Sequence, residues 1–276
     1  MGPIQSIGSP PILCHNQSVR KYWEYFVQNI NEYLAYRLRL FLSLASNLIV
    51  PITMIWIFSS LPQSQIAGMT KLEIVRYYVL GSFFYSFTNA KVDEFVKTSI
   101  QHGELGRYLI KPVNFWILAF INDFSLRFIR LLISLPIIFI FAMIVGLPLN
   151  FLKTIISPTV AIVLVLSYLL SFLFSFSLGL LTFWVEEVWG LQNLKDTAIK
   201  ILSGLAIPYQ FFPIAVVALL KWLPFPYLVI WPLRIGFTGN FLTEVLIACV
   251  WVVIFYLLGV WLWRRGLNIY GATGLY

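Results

Sequence analysis

The sequence predicts an all-α polytopic membrane protein. It reads as six transmembrane helices, an N-terminal interfacial helix, a short cytoplasmic helix between spans 2 and 3, and short re-entrant outer helices between spans 5 and 6. Three observations carry this reading. The 276 residues are 60% hydrophobic and only 11% charged, against about 25% charged in soluble domains. The uncharged runs 40–70, 131–152 and 154–185 each meet the roughly 20 residues that a helix needs to cross a bilayer. The basic residues also divide unevenly between the two sides of such a bundle, as cytoplasmic retention of Lys and Arg requires.

Taken in order, residues 1–19 hold no apolar core of signal-peptide length and read as a mobile cytoplasmic tail; residues 20–276 form one transmembrane domain. Within 20–39, Trp23, Phe26, Val27, Ile30, Tyr33 and Leu34 recur on one helical face. Lys21, Glu24, Gln28, Asn31 and Glu32 lie opposite, the pattern of a helix resting among headgroups. Span 1 falls at 40–60 with Pro51 inside it, and span 2 at 73–95. Span 3 is longer than a bilayer. Asp123, Arg127, Arg130 and Ser134 stack on one face before its uncharged run begins, and such a charged helix end is expected to stay solvated in the cytoplasmic interface or to line a wet cleft, because charge at the bilayer centre is costly.

Span 4 lies within 154–185 and carries Ser167, Ser171, Ser175 and Ser177. Small polar residues of this kind serve helix packing, with a fainter hint of an amphiphilic or glycosylated cargo. Glu186 and Glu187, beside Lys195 and Asp196, read as solvated loop charge. Span 5 starts near 197 and ends early, because Pro208, Pro213, Pro224, Pro226 and Pro232 break 205–240 into short apolar pieces. Such pieces survive at membrane depth only where protein or a cavity surrounds them. Phe211 and Leu219 are expected to be shielded there, and Lys221 and Arg234 accessible. Span 6 is 245–263, closed by Arg264 and Arg265. With both termini cytoplasmic, 14 of the 19 basic residues fall inside, leaving Lys71, Arg76, Lys153, Lys221 and Arg234 outside.

The longest polar interruption is 97–112. Lys97, Glu104, Arg107 and Lys111 charge it, Gly103 and Gly106 bend it, and Pro112 opens the next helix. Glu104 and Arg107 are spaced to share a helical face, and Leu105 and Leu109 offer an apolar anchor beside it. A short helix between flexible joints, facing water, is suited to being pushed by another protein.

Several chemistries are absent. No Walker-type phosphate loop, His-Glu-x-x-His or Gly-x-Ser-x-Gly occurs, so no catalytic residue, metal site or bound cofactor is expected on this chain. No span centre carries the carboxylate or histidine that an ion-coupled transporter uses. The net charge of +8 speaks for loops held inside rather than for nucleic acid. Cys14 and Cys249 stand far apart and His15 and His102 are isolated, so neither a disulfide framework nor metal-ligand spacing is present.

The order of features resembles the permease subunit of an ABC exporter of the type-2 superfamily, in a subfamily known mostly as uncharacterised permease components. The resemblance covers nearly the whole chain. It rests on the interfacial helix, the loop from Gly103-Glu104-Leu105 to Lys111-Pro112, the segment Ser203-Gly204-x-x-Ile207-Pro208 leading to Phe212-Pro213, Leu223-Pro224-Phe225, and the ending Arg265-Gly266-Leu267-x-x-Tyr270-x-x-x-Gly274. It implies that Gly103, Glu104, Leu105, Gly106, Arg107 and Leu109 form a coupling helix for a cytoplasmic ATPase. It further implies two permeases, identical or paralogous, with two ATPase subunits in a lipid membrane, and ATP-Mg bound by the ATPases alone. The Glu-Ala-Ala loop of importers is missing, which favours export. Two other classes stay open on sequence alone: a lipid-modifying membrane enzyme using Glu186, Glu187 or Asp123, and a channel or structural component without an energy source.

Overall fold

The structure, a computed structural model, describes residues 13–36, 52–58, 69–111, 113–145, 157–185, 188–234 and 241–273, with single positions 38, 42, 49, 60 and 62. Residues 1–12, most of span 1 including Pro51, and Pro112, Lys153, Glu186 and Glu187 lie outside the described residues. Every regular element described is helical: α1 (Leu13–Ala35), α2 (Lys71–Thr88), α3 (Val92–Gln101), α4 (Leu105–Ile110), α5 (Phe115–Val145), α6 (Pro158–Leu180), α7 (Trp189–Leu202), α8 (Ile214–Leu220), α9 (Phe225–Leu228), α10 (Trp231–Arg234) and α11 (Phe241–Thr273). Two of the described helical segments are long and apolar enough to cross a membrane, Pro158–Phe183 and Phe241–Tyr270.

Helix α1 begins at Leu13, inside the segment expected to be a mobile tail. Its apolar face is divided. Phe26 meets Phe124 and Phe128 of α5 at 6.3 and 6.1 Å between ring centres, and Ile30 and Tyr33 pack on Ile129. Trp23 and Leu34 stay 64% and 51% exposed, so one edge of the amphipathic stripe is free. Partners climb α5 in step with α1, from Asn114, whose N–H donates to the Tyr22 hydroxyl at 3.0 Å, up to Ile129. The helix is therefore strapped along the first half of α5.

Span 2 is not one helix. Thr70 caps α2 in a reciprocal box with Glu73: the Thr70 N–H donates to the Glu73 carboxylate at 2.7 Å and the Glu73 N–H to Thr70 Oγ1 at 3.3 Å, the pairing that satisfies two orphan donors at a helix start. The helix then stops at Thr88, and α3 starts afresh at Val92. The expected single span 73–95 is thus broken at Asn89–Lys91, for a reason that lies in other helices.

Helix α6 is the centre of the bundle, packed on α2, α3, α9, α10 and α11. Apolar helices gain little by meeting each other inside lipid, so close packing and buried hydrogen bonds hold such bundles together. Gly179 of α6 shows the packing limit: a Cβ there would stand 2.8 Å from Val96 Cβ and 2.9 Å from Asp93 Cα. Aromatic rings fill the wider gaps, with Phe115 stacked on Trp263 at 5.2 Å and Trp116 against Phe176 at 4.3 Å.

The segment after α7 is broken as expected. Gly204 turns the chain at φ +86°, and three short helices and a 3-10 turn follow before α11. Its second half, from Tyr227 to Trp231, is 0–2% exposed and plugs the bundle. Its first half is mixed: Phe211, expected to be shielded, packs on Phe58 at 4.9 Å between ring centres, whereas Leu219, also expected to be shielded, is 65% exposed and Trp222 69%. The Trp251 indole N–H donates to the Trp222 carbonyl at 2.9 Å, and that of Trp231 to Glu244 at 2.9 Å, fastening both halves to α11.

The close approach at Gly179 gives a direct test. Gly179→Ala pushes backbone against backbone and should lower stability by about 1–3 kcal/mol, the usual cost of overpacking, seen as a lower Tm of the detergent-purified chain. Gly190→Ala, where nothing lies within 4 Å of the new Cβ, should leave Tm unchanged or slightly raised. Equal behaviour of the two variants contradicts the packing.

Candidate functional site

A helix that stops inside an apolar bundle leaves backbone N–H and C=O groups without partners, and each buried orphan costs free energy comparable to a lost hydrogen bond. At the α2–α3 break three other helices supply the missing partners. Ser171 Oγ on α6 accepts from the Ala90 N–H at 3.0 Å. The Ala90 carbonyl accepts from Ser175 Oγ at 3.1 Å and from Lys195 Nζ of α7 at 3.5 Å. Asp123 Oδ1 on α5 accepts from the Lys91 N–H at 2.9 Å.

These acceptors and donors bring charge with them. Asp93 Oδ1 receives Lys195 Nζ at 2.7 Å and the Ser175 hydroxyl, whose single proton serves either Asp93 or the Ala90 carbonyl. Asp123 receives Arg127 Nη2 at 3.1 Å, Arg127 Nε at 3.3 Å and the Tyr168 hydroxyl at 3.2 Å. Asp93, Asp123, Arg127 and Lys195 are all under 5% exposed. Outside them, Lys91 Nζ pairs with Asp196 at 3.4 Å in a half-exposed position.

Two expectations are overturned here. Asp123, Arg127 and Arg130 are not a freely solvated helix end: all three are buried, because the acid is needed at the α2–α3 break, although Asp123 and Arg130 edge a polar cleft, the second surrounding expected for them. Lys195 is not loop charge but a buried helical side chain aimed at Asp93. Three of the four α6 serines are also explained: all four are 0–4% exposed, Ser171 and Ser175 bond the break, and Ser177 Oγ donates to the Phe255 carbonyl at 3.4 Å, while the buried Ser167 hydroxyl has no hydrogen-bond partner among the described residues. Ser171, Ser175 and Ser177 thus stitch helices together.

Below the break, α3 leads to the predicted coupling loop. Gly103 sits at φ +70°, a left-handed turn that suits only glycine without strain. Glu104 and Arg107 are exposed as expected. Leu105 is not: it is 0% exposed within the main core, so it cannot serve as a surface anchor. The turn fixes the phase of α4 so that its first residue points inward. Gly106 N–H donates to the Tyr270 hydroxyl of α11 at 3.3 Å, and Tyr108 fits between Phe95 and Phe115 at 6.2 and 5.7 Å. Burial pushes the Tyr108 hydroxyl above its ordinary range, with Glu104 adding to the shift. Leu109 is 48% exposed and Ile110, which the sequence reading passed over, 88%. An Ile next to a Leu in an otherwise polar loop was the available signal.

A polar cleft of about 560 Å³ opens beside the break, between α1, α3 and α5, with Glu32, Tyr33, Lys91, Glu94, Asn122 and Arg130 on its walls. Among the described residues no group of His, Cys, Asp or Glu could hold a metal ion.

The buried clasp predicts a coupled pair. Lys195→Met leaves Asp93 buried without its cation and should cost about 3–5 kcal/mol, while Asp93→Asn with Lys195→Met should recover most of the loss. Thermal unfolding of the single and double variants measures this. Small additive effects mean that the pair is solvated.

The model of a protein family described as an ABC-2 family transporter protein matches residues 41–274. The match spans both the break and the turn. No curated protein matches the chain significantly. With that match running over nearly all of its length, the chain belongs to the ABC-2 transporter family and is a membrane-embedded transport component.

Proposed function

We propose that the chain is the permease subunit of an ATP-driven exporter, and that α4 with the Gly103 turn is the surface gripped by a separate cytoplasmic ATPase. The observation that carries the reading is the pair Leu109 and Ile110. Two adjacent aliphatic side chains stand 48% and 88% exposed on a six-residue helix whose base is fixed by Tyr108, Tyr270 and Leu105. Exposed apolar residues on a rigid mount, rimmed by Glu104, Arg107 and Lys111, match the usual division of an interface into an apolar anchor and a charged rim.

The remaining parts of the reading are supported by features of the sequence. ATP and Mg²⁺ belong on the ATPase, since this chain has no phosphate loop of its own. A second permease, identical or paralogous, completes a pathway that one set of spans leaves half built. The surplus of basic residues on the α4 side supports six spans with both termini cytoplasmic in the cell membrane. Export is supported by the missing importer loop.

The test uses tagged permease purified from its native membranes, with ATP hydrolysis in the eluate as the readout. Ile110→Asp should reduce co-purified ATPase activity at least about tenfold, as loss of an interface anchor does, with no change in Tm. Glu104→Arg should weaken recovery by a smaller factor. Leu105→Asp should instead unfold the chain, being a core substitution. If Ile110→Asp and Glu104→Arg both leave recovery at the unmodified level, α4 is a plain connector.

A further inference from the structure

The end of α11 carries a feature that neither the clasp nor α4 uses. Arg264 and Arg265 are adjacent and exposed, and among the described residues neither forms an ion pair. Arg265 lies over the Trp261 ring, with its guanidinium carbon 5.8 Å from the ring centre. Two grooves flank this pair. One, of about 400 Å³, runs between Leu257, Val260, Trp261 and Arg264. The other, of about 480 Å³, runs between Leu181, Trp184, Trp261 and Arg265. They share Trp261, Arg265 and Asn268.

The surface leading to these grooves is apolar. Val250, Val253, Ile254 and Leu257 of α11 are 43–59% exposed and point away from the core. Helix α11 is one of the two described helices able to cross a membrane, so this face meets acyl chains and the arginines stand where headgroups lie. Tryptophan side chains at that level are half exposed, with Trp261 at 55% and Trp184 at 44%, as interfacial anchors are.

We propose that the paired grooves around Arg265 bind an anionic phospholipid, with the phosphate on Arg264, Arg265 and Asn268 and an acyl chain along Leu257 and Ile254. A guanidinium already oriented over an indole keeps its outward N–H groups free for a phosphate. Basic pockets at the ends of membrane helices recognise anionic headgroups through the same chemistry. A second copy of the chain is a poorer occupant: a twofold contact at this face brings two arginines per protomer toward their own copies, and like charges in an interface oppose association. The inference does not rest on the ATPase reading.

The site is tested by delipidating the full-length chain in detergent, adding mixed micelles of phosphatidylglycerol and phosphatidylcholine, and counting retained lipid by native mass spectrometry. The unmodified chain should retain phosphatidylglycerol preferentially. Arg264→Gln with Arg265→Gln should cut that preference about thirtyfold, the ratio that two surface arginines give. Trp261→Ala, which keeps both charges, should also weaken it, and Lys221→Gln at the opposite end should not. Three outcomes overturn the proposal. They are unchanged retention in the double variant; full displacement of the lipid by inorganic phosphate at millimolar concentration, marking a free-anion site; and altered oligomer mass without altered lipid in the double variant, assigning the face to a second copy. Circular dichroism and elution volume separate these from loss of fold, and Arg265→Lys, which keeps charge but loses the planar fork, should give an intermediate preference.

Discussion

Everything at the α4 end of the molecule depends on the buried clasp between Asp93 and Lys195. A break in a helix inside an apolar bundle is costly because its backbone groups cannot reach water. The chain meets that cost with serine hydroxyls on α6, which need no countercharge, and with Asp123, which does. Asp123 then requires Arg127, four residues along the same helix, and Tyr168 across from it. Asp93, at the start of α3, requires Lys195 from α7. One irregularity of three residues thus recruits side chains from three further helices. Buried ion pairs of this kind are weak contributors to net stability but strong constraints on geometry, since removing either partner leaves a charge in the interior.

That constraint determines what α3 can do. Its ten residues make a rod of roughly 15 Å at about 1.5 Å per residue, with the clasp at one end and the Gly103 turn at the other. Gly179 lets α3 lie directly against α6, so the rod is held along its length as well as at its base. The six-residue α4 hangs from its far end, fastened to α11 through Tyr270. A displacement of α4 has little slack in which to dissipate, because aromatic contacts and hydrogen bonds surround it on the bundle side.

What could be read in the sequence is what local composition decides. The helical membrane body, the polar turn at 97–112 and the broken segment after α7 all follow from runs of apolar residues and from where Gly and Pro fall. What could not be read depends on partners far away in the chain. Asp93 and Lys195 are 102 residues apart, and each alone looks like the ordinary charged end of a span. The rule that charge beside an apolar run is solvated therefore failed at Arg127 and Lys195, while Asp123 keeps one side on the polar cleft, and the continuous span 2 failed with it. Leu105 failed for a smaller reason. Spacing of four residues places Leu105 and Leu109 on neighbouring turns, but only the Gly103 turn sets which way that face points.

Helix α11 joins the two ends of this arrangement. Its 33 residues extend roughly 50 Å at about 1.5 Å per residue, well beyond the ~30 Å hydrocarbon layer. Near its start Glu244 holds the plug through Trp231, and Trp251 holds the outward-facing stretch before it at Trp222; near its finish Tyr270 holds α4. Gly259 and Gly266 bring it against Trp116 and Phe183, and it packs on α6 over much of its length. The plug and the exposed turn are therefore tied by a single continuous helix as well as by the clasp. Helix α3, anchored at the clasp, and helix α11, anchored at the plug, thus both end in contact with the same six-residue helix.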